Sequence, residues 1–162
     1  VPSPRRYRCV QSGNICLIDL QYISCFLITI CRYQFDPKGT RIKFHKLYCD
    51  ADGESHWENI DVTLVAHSFA PPAQDIEISE PEPVKKTMFL RLRSGWNEPI
   101  HPTPVAQKLV CLAGTVRVTA SDGEARDIGP GAVWHMEDKF GKGHHTMVTS
   151  DEDFESVIIQ YE

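Results

Sequence analysis

The stretch Gly95–Gly114, GWNEPIHPTPVAQKLVCLAG, constrains what this chain can fold into more than any other. In extended backbone, successive side chains alternate faces. His101, Thr103, Val105, Gln107, Leu109 and Cys111 therefore share one side, and Pro102, Pro104, Ala106, Lys108 and Val110 share the other. The first side carries His101, Thr103 and Gln107 above an apolar base of Leu109 and Cys111. This pattern predicts one wall of a small closed β-barrel, with a pocket in the upper half and packed side chains on the floor.

The rest of the chain from Lys43 onward agrees. DADGE at 50–54 is a turn cluster, DVTLVAH at 61–67 alternates like a strand, and the proline-rich, acidic stretch 70–83 reads as a loop wrapping the barrel. MFLRLR at 88–93, the runs 105–113 and 115–120, AVWHM at 132–136 and FESVIIQY at 154–161 read as further strands. SDGE at 121–124 is a hairpin turn. Short strands at even spacing, with no helical periodicity of any length, predict an antiparallel all-β domain. A chain of 162 residues, 41% hydrophobic and 24% charged, fits one soluble domain of ordinary size.

Two segments resemble the paired motifs of the cupin superfamily. Gly95, His101, Thr103, Gln107 and Gly114 fall at the spacings of the first motif, in which a glycine leads to His-x-His, a glutamate and a closing glycine. Gly131, Glu137, Gly141 and His144 resemble the second, with Glu137 where the family has proline and a loop two residues longer. SDGEARDIGPGAVWHMED and GKGHH look like small stand-alone cupins from about Ile42 to the end. The resemblance implies a jelly-roll β-barrel that binds a small organic molecule. It also implies a divalent metal (iron, manganese, nickel or zinc) and oxidoreductase chemistry of the kind found beside specialised-metabolite pathways. Carried over by position, the metal ligands are His101, Gln107 and His144; Thr103 and Gln107 stand where the family has histidine and glutamate. Amide and hydroxyl oxygens are weaker ligands for a transition metal than imidazole and carboxylate.

Imidazole serves equally as ligand, base or hydrogen-bond donor, so the residues alone leave more than one chemistry open. His101 and His144 are the candidate catalytic pair, with or without metal. In the metal-free alternative one acts as base and the other as acid in an isomerisation or cyclisation. A non-catalytic ligand-binding barrel is the remaining class. Trp96, Arg91, Thr103 and His135 are candidate substrate contacts: Trp96 as an aromatic wall, Arg91 for an anion, His135 as pocket wall or core group. Glu137 and Asp138, beside the loop to His144, read first as a solvated turn and second as a metal-binding or acid–base pair; His145 reads as a solvated loop residue, and His56 and His67 as structural.

Several functions are set aside. No Gly-rich phosphate loop, GxSxG or CxxC pair occurs, so no nucleotide cofactor is expected. Residues 1–40 carry five Lys or Arg and two Asp, a net of +3 out of a whole-chain −5, which leaves −8 beyond them. An acidic domain without a basic patch argues against nucleic acid. The first forty residues differ in composition from the remainder of the chain. They read first as an extension outside the barrel, then as an added strand, and last as a membrane or export signal, because the apolar run 23–31 falls short of the about 20 residues of a spanning helix. The barrel domain is thus expected over 41–162. Six cysteines without metal-site spacing suit reduced thiols in the cytoplasm. Sheet edges that invite pairing predict a homodimer.

Overall fold

The computed structural model describes residues 42–162, and those residues form an all-β fold without a helix. The expectations for residues 1–40 lie outside the described residues. Strands β1 (Ile42–Cys49) and β2 (Ser55–Val62) make a hairpin over the predicted turn, in register from Leu47↔Trp57 to Cys49↔Ser55. They belong to a six-stranded sheet ordered β2-β1-β9-β6-β11-β5, where β5 is Lys86–Leu92, β6 Gln107–Ala113, β9 Val133–Met136 and β11 Phe154–Gln160. A second sheet, ordered β10-β7-β8, consists of His144–Val148, Val116–Ala120 and Ala125–Ile128. All pairings in these two sheets are antiparallel except β1 with β9, so the larger sheet is mixed.

Alternation decides what lies between the sheets. In β7, Val116, Val118 and Ala120 are buried while Arg117 is exposed and pairs with Asp127 at 2.8 Å. In β10, His144, Thr146 and Val148 point inward. In β6 the inward set is Gln107, Leu109 and Cys111, as the parity of the opening stretch predicts. Leu47, Ile128 and Phe154, each fully buried, complete the floor. Burial of side chains of this kind contributes about 1.5–3 kcal/mol each.

Two expectations are refined. The extended parity from His101 does not run as one strand, because β6 begins only at Gln107. Pro102 and Pro104 have no N–H to give a ladder, which keeps that segment out of the sheet. The stretch 61–67 is likewise not one strand. β2 ends at Val62, and Val65–His67 (β3) pairs with Ile76–Ile78 (β4) in a small exposed ribbon inside the proline-rich region. Residues 65–67 are all exposed and have no inner face to bury, so they leave the main sheet.

Candidate functional site

The two motif segments meet at the mouth of the space between the sheets. His101 N–H donates to the carbonyl of His144 at 3.1 Å, and His144 N–H donates back to the carbonyl of His101 at 3.0 Å. Gly143 makes this approach possible. Its φ is +74°, and a Cβ there would lie 2.2 Å from the His101 carbonyl carbon, so no side chain fits. The two imidazoles stand 5.4 Å apart.

Each ring is fixed by its Nδ1 edge. His101 Nδ1 lies 3.0 Å from the Pro99 carbonyl, which can only accept, so Nδ1 carries the proton. His144 Nδ1 lies 2.6 Å from Oδ2 of Asp138, and both residues are buried. The other oxygen of Asp138 accepts from the Thr103 hydroxyl at 2.8 Å, and the Thr103 N–H donates to the Asp138 carbonyl at 3.1 Å. In its neutral form each ring is thereby left with an Nε2 lone pair that can face a ligand. A carboxylate behind a histidine in this way orients it and raises its basicity.

A third group joins them. Glu98 Oε2 is 3.5 Å from His101 Nδ1, and one ligand atom from each of Glu98, His101 and His144 lies within 4.8 Å of the others. Burial pushes the Glu98 carboxyl above its ordinary range, while His101, His144 and the Thr146 hydroxyl pull it back. Two imidazoles and one carboxylate at this spacing suit a divalent transition metal. Among the described residues no other group of three such side chains converges.

Below the cluster lies a cavity of about 230 Å³. Its walls include Leu90, Leu92, Leu109 and Ile158 together with the rings of Trp96, Trp134 and Phe154. Trp134 Nε1 and Thr146 Oγ1 are buried there without a hydrogen-bond partner of good geometry. The residues present thus fit a metal at the mouth.

The structure brings together His101, His144, Trp96, Thr103 and Gln107, all of which line this cavity. Thr103 is nevertheless not a free substrate contact, since its hydroxyl is committed to Asp138. Gln107 is not placed as a ligand: its amide oxygen accepts from Gln160 at 3.0 Å and its nitrogen faces the Met136 sulfur at 3.6 Å. Glu98 is the carboxylate of the cluster instead. Arg91 points to the outer face of β5, where it pairs with Glu155 at 2.5 Å. His135 also faces outward, against Phe44, Tyr161 and Glu137, because Trp134 and Met136 take the inner side. Neither lines the cavity. The reading of Glu137 and Asp138 as a solvated turn holds for Glu137, which pairs with Lys46 at 2.8 Å, and fails for Asp138, which is wholly buried.

Both missed residues left a signal. Glu98 is the sole acidic side chain between Gly95 and Gly114. Asp138 continues the inward parity of Trp134 and Met136 two residues past the end of β9. His145, by contrast, turns away from the cavity and contacts Asn97 at 2.6 Å, as its place beside His144 predicts.

No family model matches the chain, and no curated relative does. Similar solved structures include a conserved protein of unknown function from Streptococcus pyogenes, at 18% identity and TM-score 0.36, over 47% of this chain and 63% of that one. The match thus spans under two thirds of that protein's length. A second is the cupin domain of Schizosaccharomyces pombe Cnp3, at 10% identity and TM-score 0.39, over 75% and 84% of the two chains. A third is a putative ethanolamine utilization protein Q from Salmonella typhimurium, at 13% identity and TM-score 0.33, over 76% and 98%. Within the molecule itself, residues of both β-sheets line the cavity, and the segment carrying His101 is bridged to His144 at its mouth.

Proposed function

We propose that this protein is an enzyme acting on a small organic molecule held between the sheets, with Glu98, His101 and His144 as its metal centre. The observation that carries the reading is the convergence of one carboxylate and two imidazoles on one point above an apolar cavity. A divalent iron, manganese, nickel or zinc bound there would supply Lewis acidity and, if redox-active, one-electron chemistry. Asp138 holds the His144 ring against rotation, the Pro99 carbonyl does the same for His101, and the apolar walls exclude water from the reacting face. An oxidoreductase step in specialised metabolism is the finer form of this proposal, and the motif resemblance supports it.

A second reading has its own observation. Glu98, with its carboxyl raised by burial, faces imidazoles with free Nε2 atoms, which is an acid beside a base. Such a pair supports isomerisation or cyclisation without metal. Metal analysis of protein purified without a histidine tag, followed by Co(II) titration, separates the two. The metal reading expects one Co(II) per chain and at least a tenfold weaker affinity in Glu98→Gln. A wild-type protein that takes up no metal sinks it, and turnover by that empty protein selects the acid–base reading.

The proposal extends to assembly as a homodimer. It is supported by an apolar row on the outer face of the larger sheet, where Phe89, Val157, Val110 and Val133 are successive cross-strand partners and Phe89 is 81% exposed. Light scattering of the wild type and of Phe89→Glu checks it, with a dimer expected for the first and a monomer for the second.

A further inference from the structure

In the motif that this segment resembles, position 103 holds a histidine ligand, and this chain has threonine there. A lapsed ligand would leave its side chain without a task. Thr103 is instead 1% exposed and grips Asp138 at two points. Its N–H donates to the Asp138 carbonyl at 3.1 Å, and its hydroxyl donates to Oδ1 of the same residue at 2.8 Å. The first contact fixes the backbone of Asp138 and the second fixes the rotation of its carboxylate. The remaining oxygen, Oδ2, lies 2.6 Å from His144 Nδ1.

Burial makes the hydroxyl decisive. Asp138 is fully enclosed, and among the described residues its ion pair is with His144 alone, with no lysine or arginine to share the charge. A buried carboxylate oxygen that loses its donor gains no water in exchange. Removing the Thr103 hydroxyl therefore favours any rotation of the carboxylate that finds Oδ1 a new donor. Oδ1 and Oδ2 belong to one rigid plane, so that rotation also carries Oδ2 away from His144. Nδ1 then loses the contact that sets the direction of the ring and of its Nε2.

We infer that Thr103 is a positioning residue: acting through Asp138, its hydroxyl holds the His144 ring in its working orientation. The position that supplies a ligand in the motif supplies here the support for a different ligand. The inference rests on the proposed site for the part His144 plays, and not on the presence of metal.

Two measurements on the full chain test it. The first is Co(II) affinity by titration calorimetry in wild type, Thr103→Val, Thr103→Ser, Asp138→Asn and the Thr103→Val/Asp138→Asn double variant. Thr103→Val keeps the shape and removes the hydroxyl, and is expected to bind Co(II) about tenfold more weakly. Thr103→Ser restores the hydroxyl and stays within about threefold of wild type. Because Thr103 acts through Asp138, the double variant is expected to lie within about twofold of Asp138→Asn alone. A Thr103→Val affinity equal to wild type, no rescue by serine, or losses that multiply in the double variant overturns the inference.

The second measurement is NMR of protein labelled with 15N-histidine, in chelator. A His144 Nδ1–H signal protected from exchange, assigned by its loss in His144→Gln, is expected in wild type and Thr103→Ser and is lost or displaced in Thr103→Val. The Thr103 hydroxyl proton of the wild type is likewise expected to exchange slowly, and its absence overturns the inference even if Thr103→Val does not fold. No Co(II) uptake with a His144 signal that follows the hydroxyl removes the metal centre and leaves this inference standing. Co(II) uptake with a His144 signal indifferent to Thr103→Val does the reverse.

Discussion

His144 and His56 both lean on aspartates, and burial with partner number gives them different work. His144 has one carboxylate, Asp138, behind its Nδ1 in a fully enclosed setting, so Nε2 stays available. His56 lies near the surface between two: Nδ1 is 2.7 Å from Asp122 and Nε2 is 3.0 Å from Asp50. A carboxylate only accepts, so both ring nitrogens must carry protons, and the hydrogen bonds that His56 donates to Asp50 and then to Asp122 raise its pKa above 6.5. One arrangement presents a lone pair to a ligand. The other uses up both nitrogens as a clamp between the β1–β2 and β7–β8 turns.

The clamp is tied to the site through the loop ahead of His144. Ser55 Oγ donates to the Gly143 carbonyl at 2.7 Å, the Lys142 N–H donates to the Gly53 carbonyl at 2.8 Å, and the Lys142 ammonium pairs with Glu54. The surface turn thereby braces the segment that carries His144, while Asp138 sets the ring. The difference teaches that a histidine–carboxylate contact predicts chemistry only when it leaves one ring nitrogen unoccupied.

The comparison breaks most severely at Asp138. Asp138→Asn keeps the shape but loses the anion that orients His144, and Co(II) affinity should fall by about 10- to 100-fold, as for other partners standing behind metal ligands. Titration calorimetry reads this directly, and an unchanged affinity would place His144 outside the centre. Gly143→Ala comes next. A positive φ and a Cβ forced against the His101 backbone should cost at least ~2 kcal/mol in chemical denaturation. A variant as stable as wild type would mean that the two motif segments do not touch as described.

The clamp gives a smaller and pH-dependent effect. Because the His56 pKa is raised on folding, its stabilisation is fully present below about 6.5 and is lost as pH rises through the folded value. Asp50, lowered chiefly by the same hydrogen bond, works in the opposite sense and loses its contribution as pH falls through its own folded value. The urea midpoint should therefore decline from pH 6 to pH 9 in wild type and decline less in His56→Gln. An identical slope in the two would show that the clamp does not form. The smallest effects belong to Arg91→Ala and His135→Ala, both outside the cavity, which should leave Co(II) affinity within about twofold of wild type. A tenfold loss in either would place that side chain inside.

Much of the site was legible along the chain because period-two alternation is a local property of extended backbone. It put Gln107, Leu109 and Cys111 on one inner wall, and the motif spacings put His101 and His144 at one mouth. The same alternation in MFLRLR sets Leu90 and Leu92 on the inner face and Arg91 with Arg93 on the other, so Arg91 as a substrate contact ran against the pattern, and the structure turns it outward onto Glu155.

The sequence by itself determined the all-β class, the walls of the cavity and the meeting of two histidines, since each follows from alternation or from spacing within one segment. Only the tertiary structure decided that Glu98 completes the cluster, that Thr103 is spent on Asp138, and that Gln107 is held by Gln160. Each depends on a partner brought from elsewhere: 35 positions away for Thr103 and Asp138, and 53 for Gln107 and Gln160. For a polar side chain the face it occupies is a local matter, but the group that receives its hydrogen bond is chosen by packing.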